Sequence, residues 1–378
     1  MYDYRGTLHA IIEQVGGGNN VYSIERDNAG RILRVGYPNE DRSVTEYDAE
    51  GRIVKHKNYY KTHIINKFEF TLDGEGNKMT EKTILGMRNY GYDDIYQLTS
   101  ARYERNQEFT WVYDAAGNRI VSDEIGDSKT YVPNNLNQYV NVNGVNYSYD
   151  ADGNLLSDGS KTYSWDIRNR LTQVVKNNKV VKYTYDHNDL RVEKEVGGRK
   201  IKYYYDGSLL LAEKDGNGNI LKIYINDGEG IIGMIRYIYN ESGTFSHYQH
   251  LYYLYDSLGS ISVITGENGL PLQNYTYSPY GSTMNVDYDP VNNLRFVGRY
   301  GGYKDDDTGL TYFWHRWYDE GDGRWVSRDP LNIKGGLNLF MYTANNPVFW
   351  IDAISNMWWK RCRLSISSEL WKLGWSRI

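Results

Sequence analysis

The chain has 378 residues, with 43 Lys and Arg against 48 Asp and Glu and a formal net charge of −5, so no overall basic field draws it to nucleic acid. One cysteine, Cys362, excludes an intramolecular disulfide framework and a cysteine-rich zinc site, and no apolar run approaches the ~20 residues of a transmembrane helix. Tyr and Gly each occur 38 times; Tyr suits half-buried strands and Gly suits turns, which points to an all-β chain.

The opening MYDYRGTLHA lacks the apolar core of a signal peptide. Gly16-Gly17-Gly18 lacks the Lys-Ser/Thr of a phosphate loop and reads as a flexible turn. A repeated unit then begins at Arg26-Asp27-Asn28-Ala29-Gly30-Arg31-Ile32. It returns as Tyr47-Asp48-Ala49-Glu50-Gly51-Arg52, Leu72-Asp73-Gly74-Glu75-Gly76-Asn77, Tyr92-Asp93 and Tyr113-Asp114-Ala115-Ala116-Gly117-Asn118, with a degenerate copy near Asn135. Tyr149-Asp150-Ala151-Asp152-Gly153-Asn154, Trp165-Asp166, Tyr185-Asp186, Tyr205-Asp206 and Tyr255-Asp256 continue the series, at a period of about twenty residues. Each unit reads as a strand, a D-x-x-G turn and a returning strand; the Asp bonds backbone amides and the Gly accepts positive φ. One hairpin alone is marginal, so the units must stack into a continuous, curved antiparallel sheet with every D-x-x-G at a hairpin tip and little helix.

Several polar groups read as structural. Asp150-Ala151-Asp152-Gly153-Asn154 lacks the glycine position and terminal Glu of a calcium loop. His247 and His250 lie three apart on a strand and so face opposite sides, which argues against a shared metal. Asp305-Asp306-Asp307 reads as a solvated turn. No cofactor and no metal site is expected. Residues 357–378 differ from the rest: they hold Trp358, Trp359, Trp371 and Trp375, no Tyr, and Lys360, Arg361, Arg363, Lys372 and Arg377 against Glu369, a net +4. Trp359, Cys362, Ile366, Leu370 and Leu373 fall at helical steps, the pattern of a basic amphipathic helix, although the segment also suits a truncated terminus.

At Tyr-Asp repeats of this period the chain resembles the YD-repeat, or Rhs (rearrangement hotspot), proteins. The C-terminal motifs strengthen the resemblance through their order: Arg295-Phe296-Val297-Gly298-Arg299, Asp307-Thr308-Gly309-Leu310, Arg316-Trp317-Tyr318-Asp319, Gly323-Arg324-Trp325, Ser327-Arg328-Asp329-Pro330 and Tyr342-Thr343-Ala344-Asn345-Asn346-Pro347 follow the Rhs-associated core domain. The resemblance implies a hairpin ribbon curving into a hollow, here incomplete, shell around a C-terminal polypeptide, often a toxin, with the core domain as plug. Residues 1–282 would form the repeat region, 283–356 the core domain and 357–378 a variable tail. The partners so implied are the toxin or other C-terminal cargo of the parent protein, a delivery or secretion component and cell-surface glycans. The setting is secreted or at the bacterial cell surface. The rival expectation is a carbohydrate-binding or adhesive surface module, which an outward aromatic row flanking a groove would favour.

In several members the core domain resembles an aspartic protease and cuts its own chain. Carried over, the catalytic residues would be Asp329 and Asp352, with Arg316 orienting a carboxylate or polarising the scissile carbonyl. Two carboxylates brought close cannot both ionise, so one serves as acid while the other activates water. The family motif ends D-P-x-G-L and is cut after the Leu, whereas this chain reads Asp352-Ala353-Ile354-Ser355-Asn356, so the aligned bond is Asn356–Met357. Beyond such self-cleavage no enzymatic activity is expected.

Overall fold

The computed structural model describes residues 1–2, 6–331 and 336–352, and the backbone of 359–360. Its unit of construction is the turn. At Asp27, Asp48, Asp114, Asp150 and Asp256 the backbone N–H of the Asp donates to the carbonyl four residues on, and the Gly three residues on donates back to the Asp carbonyl. The Asp side chain closes the same loop, with Oδ1 accepting from the backbone N–H four residues on, at 2.8–2.9 Å for Arg31, Arg52, Asn118, Asn154 and Ser260. The third residue after the Asp has φ between +75° and +87° at Gly30, Gly51, Gly117, Gly153 and Gly259, the left-handed region where a Cβ is unwelcome. Register slips by one residue just before these turns, as at Glu25/Arg26, Glu46/Tyr47 and Val112/Tyr113, making each a bulged hairpin. The opposite ends of the hairpins use two-residue tips with both residues at positive φ, among them Asn177-Asn178, Gly197-Gly198 and Asn143-Gly144.

These hairpins join in strict sequential order into a 14-stranded sheet, from Ala10–Glu13 to Val145–Asn146, and a 13-stranded sheet, from Ser148–Tyr149 to Pro271–Asn274. Among the described residues there is no α-helix. The alternation Tyr-x-Tyr-Asp divides labour. The first ring, at Tyr90, Trp111, Tyr163, Tyr183 and Tyr203, is buried on the inner face. The second, next to the Asp, reaches back one unit: the hydroxyls of Tyr47, Tyr92, Tyr113, Tyr185, Tyr205 and Tyr277 donate to the carbonyls of Ile32, Lys78, Leu98, Leu171, Arg191 and Ile261 at 2.7–3.0 Å. Trp165 does the same through Nε1, 2.7 Å from the Leu155 carbonyl. Each acceptor is the fifth residue after the preceding turn's Asp or its equivalent.

The ribbon returns on itself. Tyr22, Val35 and Tyr37 from the first sheet pack with Ile232, Ile235, Tyr252, Leu254 and Val263 from the end of the second. Polar contacts cross the same seam: Tyr37 donates to the Tyr253 carbonyl at 2.7 Å, Asn58 to the Tyr255 carbonyl at 2.8 Å and Asn66 to Ser262 at 2.7 Å. The described residues from Tyr275 to Asp352 fill the space between the sheets. Tyr303, Leu310, Tyr312, Trp317, Trp325 and Tyr342 join the core of the second sheet, and Tyr280 and Val348 that of the first. A four-stranded sheet spans Tyr303–Asp305, Leu310–Phe313, Arg316–Asp319 and Arg324–Trp325.

Three expectations change. Asp305-Asp306-Asp307 is not a solvated turn: Asp305 is fully buried, with Lys194 at 2.7 Å and the Tyr183 hydroxyl at 2.7 Å, Asp306 pairs with Arg295 at 2.6 Å, and Asp307 with Lys194 at 2.6 Å. Cations from the repeats and the plug compensate each carboxylate, which sequence spacing does not show. Tyr205-Asp206 makes a two-residue tip, with Asp206 opposite Leu209, because Gly207 comes one residue after the Asp instead of three. Trp359 and Lys360 pair as strand with Ile351 and Trp350, against the helical pattern at its first position; the rest of that pattern lies outside the described residues.

Two predictions follow from the ladder and the seam. Replacing Tyr47 by Phe removes the donor to a carbonyl and should cost about 1 kcal/mol, and Tyr185→Phe about twice that because Trp317 Nε1 also loses its acceptor, the two adding because the sites lie far apart, as read from denaturation midpoints. At the seam, Asp41 bonds Asn39 and Thr265 while burial pushes its carboxyl up to about 6. Its folded value exceeds the unfolded one, so ionised Asp41 costs stability as pH rises through about 6. The stability of the parent relative to Asp41→Asn should therefore fall by about 2 kcal/mol between pH 4 and pH 7, as measured by urea denaturation of both at the two pH values.

Candidate functional site

Arg316 opens the second arm of a tight hairpin whose tip residue Trp314 has φ +47°. Its guanidinium lies over the Trp325 ring, Cζ 4.0 Å from the centroid. This stacking points Nη2 at two carboxylates: Asp329 Oδ2 is 3.0 Å away and Asp352 Oδ2 2.8 Å. Asp329 is held by its own N–H, which donates to the Leu339 carbonyl at 2.9 Å, and by Oδ1, which accepts from the Leu331 N–H at 2.8 Å. Asp352 follows the short strand Trp350–Ile351. Exposure is 3% for Arg316, 7% for Asp329 and 4% for Asp352, so the whole cluster is buried. Burial holds the Arg316 guanidinium below its ordinary value, with Asp352 and then Asp329 pulling the other way. A guanidinium stays charged under any of these conditions, so one cation faces two carboxylates. The structure thus brings together the three residues singled out from the sequence. Asn356 and Met357 lie outside the described residues.

His250 sits between Glu267 Oε1, 2.9 Å from Nδ1, and Glu13 Oε2, 3.1 Å from Nε2, at the seam. Among the described residues no group of three or more His, Cys, Asp or Glu could hold a metal ion.

Residues that sequence spacing did not single out hold the plug to the turns. Asn338 Nδ2 donates to Asn118 Oδ1 at 2.9 Å, Asn345 Nδ2 to Gln97 Oε1 at 2.9 Å and Asn346 Nδ2 to Asn77 Oδ1 at 3.0 Å. Their receivers are the fourth residues of the turns at Asp114, Asp93 and Asp73. A signal was present: that position is Arg in Arg31, Arg52 and Arg170, but Asn or Gln in Asn77, Gln97, Asn118, Gln138, Asn154 and Asn219, three of which these plug residues use. Arg only donates, whereas an amide bonds the turn Asp through its NH₂ and still offers an oxygen.

A sequential hairpin ribbon, closed on itself and filled by a C-terminal plug carrying an Arg–Asp–Asp cluster, defines a YD-repeat shell protein. Residues 59–348 match the teneurin YD-shell family, and the chain belongs to it. It is 30% identical over 285 residues to the tRNA nuclease WapA of Bacillus subtilis strain 168, covering 71% of this chain and 12% of that protein. Toxin subunit YenC1 of Yersinia entomophaga is 26% identical over 431 residues, covering 93% of this chain and 44% of YenC1. The chain thus spans about an eighth of the WapA length. Among solved structures, the TcdB2-TccC3-Cdc42 crystal structure superposes with a TM-score of 0.78 at 22% identity, over 94% of this chain and 20% of that one, a likeness of fold.

Removing the cation tests the electrostatics of the cluster. Arg316→Met should destabilise the chain by about 3–5 kcal/mol at pH 7, because two buried carboxylates lose the guanidinium they share, and the loss should show in the urea midpoint.

Proposed function

We propose that this chain is the closing part of a shell that encloses and presents the C-terminal polypeptide of its parent protein, and that its Arg316–Asp329–Asp352 cluster cuts the chain near Asn356–Met357. In this proposal residues 1–282 are the ribbon, 283–356 the plug and 357–378 a variable tail. The single observation that carries the cleavage reading is that one guanidinium nitrogen holds both carboxylates, at 3.0 and 2.8 Å, in a buried site. Such an arrangement sets two acids within reach of one peptide, so that one supplies a proton to the leaving amine while the other activates water. Arg316 then orients the pair and polarises the carbonyl.

The inward repeat rings favour enclosure over sugar binding, since Tyr90, Trp111, Tyr163, Tyr183 and Tyr203 are spent on the inner face. The names of relatives, a tRNA nuclease and a toxin subunit, support a toxin as cargo and a secreted or cell-surface bacterial setting, with a delivery component as further partner.

Intact-mass measurement on purified protein over days tests the cleavage reading. Slow, partial loss of the residues after Asn356 is expected; Asp329→Asn or Asp352→Asn should abolish it and Arg316→Ala impair it. Restoring Pro-x-Gly-Leu at 353–356 should speed it, because even a small misplacement of the scissile bond costs ~100-fold. A chain that stays whole after that restoration would sink the reading.

A further inference from the structure

Residues 337–349 form a strap that crosses the turns at Asn134, Asp114, Asp93 and Asp73, in that order. Asn137 Nδ2 donates to the Leu337 carbonyl at 3.4 Å, and Asn338 Nδ2 to the Ala116 carbonyl at 3.1 Å as well as to Asn118. Asn345 Nδ2 bridges two turns, donating to Gln97 Oε1 at 2.9 Å and the Gly117 carbonyl at 2.8 Å, and Asn346 Nδ2 reaches Asn77 Oδ1 at 3.0 Å and the Tyr96 carbonyl at 3.1 Å. Asn338, Asn345 and Asn346 are all buried. Between them Thr343, Ala344 and Asn345 are left-handed in succession, at φ 48°, 52° and 57°. Non-glycine residues pay about 1–2 kcal/mol each for that conformation, so the run persists only where its surroundings impose it. The bonds of Asn345 and Asn346 to the rim are the visible constraint.

Both acids are tied to this strap. Asp329 donates its N–H to Leu339, the stacking residue Trp325 donates its N–H to the Phe340 carbonyl at 3.0 Å, and Trp350, two residues before Asp352, donates to the Asn346 carbonyl at 3.0 Å. We propose that Asn345 and Asn346, with the rim amides Gln97 and Asn77, are positioning residues that set Asp352 against Arg316 and Asp329. The acid cluster then assembles only after the turns at Asp73, Asp93 and Asp114 have folded, more than two hundred residues upstream, so cleavage waits for the shell. The functional meaning, though not the positioning itself, rests on the self-cleavage reading above.

The test uses the full chain and changes only the rim. Gln97→Arg keeps a turn of the kind that Arg31, Arg52 and Arg170 make but removes the acceptor for Asn345; Gln97→Asn keeps an amide, as at Asn77 and Asn118. Hydrogen exchange is followed at the amides of residues 350–352, with Val174 and Tyr183 in the second sheet as the control for folding, and cleavage by intact mass. Gln97→Arg should raise exchange at 350–352 about tenfold, the loss of one buried hydrogen bond, and slow cleavage comparably, while the second sheet stays protected. Gln97→Asn should stay within about threefold of the parent on both readouts. Exchange unchanged by Gln97→Arg, or changed equally by both substitutions, overturns the proposal. If the parent chain is never cut, cleavage reports against the self-cleavage reading alone and exchange still decides the positioning.

Discussion

The structure depends on one contact made over and over: a tyrosine hydroxyl on the carbonyl five residues past the previous turn's aspartate. A hairpin of this length has too little apolar surface to stand alone. The bulged turn shapes the hairpin locally through its Asp, but nothing in the turn itself says where the next hairpin must lie. The tyrosine supplies that information, since its ring packs beside the strand while its hydroxyl finds one acceptor in the neighbouring unit. Because Tyr and Asp are adjacent in sequence, forming the turn also aims the ring. Local and long-range order are thereby encoded in the same dipeptide.

Most of this was legible in the sequence. The period, the turn and the all-β class follow from Asp and Gly spacing, and the degenerate copy near Asn135 is a turn in which Asn134 does the work of Asp. Tyr205-Asp206 shows where the pattern misleads, because a Tyr-Asp pair with its Gly in the wrong place still makes a hairpin by a different route. Partners from distant segments were the hidden part. Asp305 looks like surface until Lys194 is brought to it, and Asn346 looks like an ordinary turn residue until Asn77 is. Arg316, Asp329 and Asp352 were reachable only through resemblance to a family, as nothing in their spacing alone distinguishes them from the many other charged residues of the repeats.

The plug and the ribbon solve the problem of buried charge in different ways. Arg191 is completely buried and sits within 4.1, 4.5 and 4.8 Å of the rings of Tyr203, Tyr303 and Tyr312, so aromatic faces take the place of a counterion. Arg316 also rests on an aromatic face but keeps two carboxylates at its edge. The first arrangement meets a buried cation with rings alone at close range; the second adds two carboxylates that share one guanidinium nitrogen.

The strict neighbour-to-neighbour order of the strands has a mechanical consequence. No segment of either sheet passes between two strands that are distant in sequence, so once the seam and the plug contacts have parted the sheets can come apart one hairpin at a time. Pulling loads a few hydrogen bonds at once, as in opening a zipper, and never shears a whole sheet. A ribbon built this way meets heat and denaturant with all its hairpins together, but meets a directional force with only the few bonds of the hairpin being peeled.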